Sequence, residues 1–200
     1  GSLASVNDGS WKGQGQNPLE WLANNPLSYK KYKVFSTVFA DVNIYRNLTF
    51  KTQFGVDFSH STGFSQSFPS YKPNLGEGSA SRSSSDGMNL QWTSTLNYRF
   101  ALDDLHDFNF LLGQEGVNYR SESFQIITSG QNNDAFTSLV SGTRAVSWAN
   151  SHSSHAFLSF FGRGEYNYNE KYFADLSLRT DASSRFGKHG RWATFWSLGF

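Results

Sequence analysis

The sequence predicts an all-β fold, an antiparallel up-and-down transmembrane β-barrel fragment of about seven strands, with short periplasmic turns and long external loops. Three observations carry this. The chain of 200 residues is rich in aromatics (17%) yet hydrophilic on average, with a mean hydropathy of −0.51. Several segments alternate apolar and polar residues with period two. Their connections alternate short and long.

The composition excludes other classes first. No run of about 18 apolar residues exists, so no transmembrane helix is expected, whereas barrel strands alternate and stay hydrophilic on average. A net charge of +1 lacks the concentrated basic face of a nucleic-acid binder, so no nucleic-acid partner is expected. There are no cysteines, hence no disulfide framework and no thiolate metal site. The opening Gly1-Ser2-Leu3-Ala4-Ser5 has neither the basic nor the apolar region of a signal peptide. Leu198-Gly199-Phe200 falls inside an apparent strand, so both ends read as cut from a longer chain.

Residues 1–31, rich in Gly, Asn, Ser and Pro, read as an external loop segment, with Trp11, Trp21 and Leu22 as its candidate anchors. Residues 32–200 read as the partial barrel. The clearest strand places Leu48, Phe50, Phe54, Val56 and Phe58 on one face, with the single lapse Thr52, and Lys51, Gln53 and Asp57 on the other. Successive strand side chains point to opposite faces, so one face is greasy and the other wet. Segment 88–100 repeats this, with Met88, Leu90, Trp92, Leu96, Tyr98 and Phe100 sharing a face with one polar residue, Ser94. Segment 172–178 does so with one exception, Phe173. Segments 33–44, 107–119, 154–168 and 192–200 are less regular, with Phe35, Phe39, Leu111, Phe157 and Phe161 on the wrong side. Most strands are expected to be about ten residues long, the length needed to cross a bilayer at a tilt.

Short connections fall at 45–47, 101–106 and 169–171, and longer ones at 60–87, 120–151 and 181–191. Tyr45, Tyr98, Phe100, Tyr166, Tyr168 and Tyr172 flank the short turns, where an interfacial girdle of amphipathic rings belongs.

The run Tyr172-Phe-Ala-Asp-Leu-Ser-Leu-Arg-Thr-Asp-Ala-Ser-Ser-Arg-Phe-Gly187, then Arg191-Trp192 and Phe195, resembles a signature of the SusC/RagA family of TonB-linked outer-membrane transporters of Bacteroidetes. Asn17-Pro18-Leu19, Asn47-Leu48-Thr49-Phe50 and Gly113-Gln-Glu115 fit as well; Ala182 departs conservatively from the usual Gly. The resemblance implies a plug domain inside a barrel of about 22 strands. It implies import of glycans or peptides with a SusD-type surface lipoprotein and TonB as partners. This chain shows no plug and no TonB box, so it reads as roughly a third of a barrel wall.

The expected interior face carries Lys51, Asp57, Arg99, Arg163, Glu165, Asp175 and Arg179. Within the family motif, Arg179, Asp181, Ser183, Ser184, Arg185 and Phe186 are expected to order a loop, with Asp181 and Arg185 as hydrogen-bonding anchors. Phe64, Tyr71 and Trp148 are loop aromatics placed to contact substrate or partner, or simply to pack the loops together. Neither cofactor nor metal is expected. His152 and His155, three apart on a strand, point to opposite faces, and Asp103-Asp104…Asp107 reads as a solvated turn rather than a Ca²⁺ site. No nucleophile elbow exists, and no catalysis is expected. The competing reading is a soluble β-sandwich that binds carbohydrate through an aromatic platform. It leaves the short and long alternation unexplained. A passive porin or adhesin on the same barrel is a third reading.

Overall fold

The structure is a computed structural model that describes residues 4–136, 138–187 and 190–200. Gly1-Ser2-Leu3 of the expected loop segment, and Thr137, Lys188 and His189 within two expected connections, lie outside the described residues. Seven strands form one sheet in the order β1-β2-β3-β4-β5-β6-β7. They are β1 (Leu27–Tyr45), β2 (Leu48–Ser67), β3 (Gly78–Leu102), β4 (His106–Gln131), β5 (Arg144–Tyr168), β6 (Tyr172–Ser183) and β7 (Trp192–Gly199). Each strand pairs with its sequence neighbours, the up-and-down antiparallel arrangement expected. The sandwich alternative needs a second sheet over the apolar face, and the described residues form one sheet.

Strand length departs from expectation. β1 to β5 run 19 to 26 residues, and only β6 and β7 are near ten. The stretches expected as long loops, the Ser/Gly-rich 60–87 and 120–151, are strand for most of their length. Hydrophobic alternation marks a strand only where one face meets an apolar medium. A strand with water on both sides is held by its backbone ladder and leaves no such trace. The connections contract to 68–77 and 132–143, each with one short 3₁₀ turn. The short turns fall where expected, and β1 starts at Leu27, earlier than the alternation suggested.

The chain divides into two compact units. Unit 1 comprises 1–32, 59–86 and 121–152; unit 2 comprises 33–58, 87–120 and 153–200. Among the described residues of unit 1, the one α-helix is α1 (Pro18–Asn24). Asn17 caps it by accepting from Leu19 N at 3.1 Å, Pro18 presets the first turn, and Glu20 lies in that turn. The Glu20 carboxylate accepts hydrogen bonds from Ser5 Oγ, from Val6 N at 2.6 Å and from Asn7 N at 3.4 Å. These bonds hold it below the usual carboxylate range. Asn7 in turn binds Ser70 O and Lys72 N, and Ser70 binds Asp134. The N-terminal segment is therefore anchored through polar side chains. Trp21 and Leu22, expected as anchors, stay exposed.

In unit 2 the β5–β6 and β6–β7 registers sort side chains into two faces. Glu165 opposes Asp175, Phe161 opposes Arg179 and Ser159 opposes Asp181, while Leu176 opposes Leu198 and Leu178 opposes Trp196. Phe157, Phe161 and Phe173, which broke the alternation, all stand in the polar rows. They are aromatic members of the polar face rather than errors of register. The apolar face is bare: Trp196 is 74% exposed, and Leu176, Leu178 and Val38 are also exposed. Tyr71 and Ala80, in unit 1, are the buried hydrophobic residues among those described. A water-soluble domain rarely leaves such a continuous apolar surface uncovered, and lipid removes the penalty.

Candidate functional site: the polar face of unit 2

The polar face is a ladder of paired groups. Near the short turns, Arg99 binds Asp107 with Nη2 to Oδ2 at 2.5 Å, and Asn97 donates to Asn109 at 2.8 Å. Asn109 donates to Glu165 Oε2 at 2.7 Å, and Arg163 reaches the other Glu165 oxygen at 2.9 Å. Asp175 lies beside them, lining the same groove of about 490 Å³. On the opposite side of the unit, Asp57 pairs with Lys33 at 3.1 Å, and Lys51 sits over the Phe39 ring at 5.9 Å. Phe39 thus also belongs to the polar side, as a cation–π partner.

Arg179 gathers the largest set of partners. Its Nε donates to Asp181 at 2.7 Å and its Nη2 to Ser159 Oγ at 3.0 Å; Glu115 lies 3.7 Å away. Its guanidinium also lies over Phe161, 5.5 Å from the ring centroid. The ring has room because the facing residue of β4 is Gly113, where any Cβ would run into Phe161. One arginine thereby ties β4, β5 and β6 at one level. Ser159 and Glu115 were not among the residues singled out for this face. Parity alone places Ser159 on the polar side, but only the register brings it to Arg179.

The motif continues by folding the β6–β7 connection onto β5. Ser184 N donates to Ala156 O at 2.9 Å, and Ser184 Oγ accepts from Ala156 N at 2.9 Å. Ser183, nearly buried, accepts from Arg185 N and donates its own N–H to Arg191 O. Arg185 reaches His155 Nδ1 at 3.1 Å. Phe186 stays exposed and, with Phe157, Phe195, Arg179 and Glu115, lines a cavity of about 580 Å³. This is a concave site with aromatic walls and fixed charges of both signs. It offers stacking and hydrogen bonding, and shows no nucleophile–base pair among the described residues.

Elsewhere, His152 pairs with Glu122 at 3.3 Å, while His155 packs on Tyr119. Asp103 accepts from Leu105 and His106 N–H groups, the local use of a turn aspartate. In unit 1, Tyr71 is fully buried and its hydroxyl has no hydrogen-bond partner among the described residues, Phe64 lies under Arg82 at 4.0 Å, and Trp148 is 75% exposed. The apolar rings at the short turns of unit 2 touch each other: Phe100 with Phe108 (5.0 Å), Phe108 with Tyr166 (4.9 Å) and His106 with Tyr168 (5.0 Å).

No family model matches the chain. The TonB-dependent receptor SusC of Bacteroides thetaiotaomicron is 29% identical over 110 residues, covering 55% of this chain and 11% of that protein. A TonB-dependent receptor of Formosa agariphila is 27% identical over 191 residues, 86% of this chain and 18% of that protein. Among solved structures, the RagAB peptide transporter superposes with a TM-score of 0.86 at 27% identity, covering 92% of this chain and 21% of that one. The RagAB peptide importer in its open-open state gives 0.85 at 25% identity. The chain thus spans about a tenth to a fifth of the length of the relatives it matches. These relatives are receptors and transporters, not enzymes. With one sheet, a bare apolar face, aromatic rings at the short turns and the Arg179-to-Phe186 motif in place, the chain is similar to a seven-stranded stretch of barrel in the SusC/RagA-type TonB-dependent receptors of the outer membrane.

Proposed function

We propose that this stretch forms part of the inner wall of an importer that takes up an oligomeric nutrient, peptide in preference to glycan, through the outer membrane. TonB supplies the energy, and a SusD-type lipoprotein covers the external mouth. The observation that carries the reading is the concave site around Arg179. It joins a fixed guanidinium and the Glu115 carboxylate to the aromatic walls Phe157, Phe186 and Phe195. Charges of both signs beside apolar rings suit a peptide, whose backbone and side chains present the same mixture. The RagAB importers, similar over 92% of this chain, are peptide importers by name. In this reading Lys51, Asp57, Arg99, Arg163, Glu165, Asp175 and Arg179 face the lumen, where they meet the plug or the passing substrate.

The test is growth of the source bacterium, with the complete receptor deleted, on peptides or on glycans as the limiting nutrient. Loss of growth on peptides, restored by the wild-type gene and weakly by a Phe186→Ala, Phe195→Ala variant, supports the reading. Loss on glycans alone overturns the peptide preference. Unchanged growth and uptake on both overturn the importer.

A further inference from the structure

Gly162 and Gly164 stand two residues apart on β5, so both face the same way, and that way is the apolar face shared by Leu158, Phe160 and Tyr166. Across β6 they oppose Leu178 and Leu176. From β4, Leu112 and Phe110 lean over them: a Cβ on Gly162 would meet Leu112 Cδ2 at 3.1 Å, and one on Gly164 the Phe110 ring at 3.3 Å. The β4 side chains fill the space above the two glycines, and beside them lies a slot of about 610 Å³ walled almost wholly by carbon. That size lies within the roughly 300–1,000 Å³ of small-molecule sites. The slot is open, and its wall residues Phe110, Leu112, Phe160, Leu176 and Leu178 are exposed.

One end of the slot changes chemistry. The next residue on this face after Gly164 is Tyr166, whose hydroxyl lies 2.7 Å from His106 Nδ1. Tyr168 and Tyr172 follow, their rings 6.3 Å apart, and the turn beyond carries the exposed Lys171 next to the exposed Glu170. An apolar slot that runs into hydroxyls and a cation repeats the order of an acyl chain followed by a phosphate headgroup.

We propose that this slot is a binding site for one acyl chain of a phospholipid whose headgroup lies at the Tyr166–Lys171 end. The proposal rests on the reading that the apolar face meets lipid. A flat greasy face wets lipid evenly. A slot walled by Phe110, Leu112, Phe160, Leu176 and Leu178 holds a chain between β4 and β6.

The experiment uses the complete receptor, reconstituted in vesicles that contain a phosphatidylethanolamine with a diazirine on one acyl chain, with adducts mapped by peptide mass spectrometry after illumination. Adducts several-fold more frequent on the Leu176–Leu178 stretch than around Val38 and Val42 are expected. A Leu178→Trp variant, which fills the slot from β6, is expected to lose that enrichment while labelling elsewhere persists. Even labelling along the whole apolar face overturns the slot and leaves the membrane reading standing. Absence of label from the entire face overturns both. The unsubstituted receptor alone decides between these outcomes should the variant fail to fold.

Discussion

The hydroxyls of Thr52 and Ser94 lie 2.9 Å apart across β2 and β3. Each is the one polar residue on an otherwise apolar row, and each meets the other. Trp92 Nε1 also donates to Thr52 Oγ1 at 3.0 Å. Facing lipid, a lone hydroxyl has no water to bond, so two such positions are tolerable when they satisfy one another. Replacing both is therefore expected to cost less than the two single replacements added together. Thr52→Val or Ser94→Ala alone should destabilise the complete receptor by about 1 kcal/mol, and the double variant by less than the sum. Apparent melting temperatures in detergent check this; strict additivity would mean the two groups are independent.

Gly113 is expected to tolerate no side chain. Gly113→Val pushes on Phe161 and, through it, on the guanidinium of Arg179. A loss of about 1–3 kcal/mol is expected from this overpacking. Gly116, on the same strand, has open space where its Cβ would be, so Gly116→Val is the matched control and should leave the melting temperature nearly unchanged.

The β5–β6 turn carries a removable strain. Asn169 and Glu170 both have positive φ, 48° and 54°. Asn adopts this region readily, whereas Glu does so at a cost of about 1–2 kcal/mol. Glu170→Gly should therefore stabilise by a few tenths of a kcal/mol, roughly the strain relieved less the added freedom of the unfolded chain. A drop in melting temperature would show that the Glu170 side chain makes a contact worth more than its strain.

Acid should release the N-terminal segment. Glu20 is held below its ordinary value by the hydroxyl of Ser5 and the amides of Val6 and Asn7. A carboxylate with a depressed native pKa stabilises above its unfolded value, and that contribution is lost as pH falls through the native one. Hydrogen exchange at the Val6 and Asn7 amides should accelerate as pH drops below about 4.5 beyond the intrinsic trend, and Glu20→Gln should abolish the step. An unchanged profile in the wild type would remove Glu20 as the anchor.

The strand order, the three short turns and the split into a greasy and a wet face are consequences of local sequence. Period-two alternation along β2 and β3 and turn residues such as Asn169 act within a few positions, so they are visible without neighbours. The polar rows carrying Lys51, Arg99, Glu165 and Arg179 follow from the same parity. What only the tertiary structure decided is the partner of each side chain. The pairings of Thr52 with Ser94, of Asn109 with Glu165 and of Ser159 with Arg179 depend on register between strands many residues apart. Phe157, Phe161 and Phe173 broke the pattern in the sequence and proved to be aromatic members of the polar face. The stretches expected as long loops were illegible for a related reason. Without an apolar medium on one side, a strand is specified by the neighbour that accepts its backbone hydrogen bonds, and that neighbour is nowhere in its own sequence.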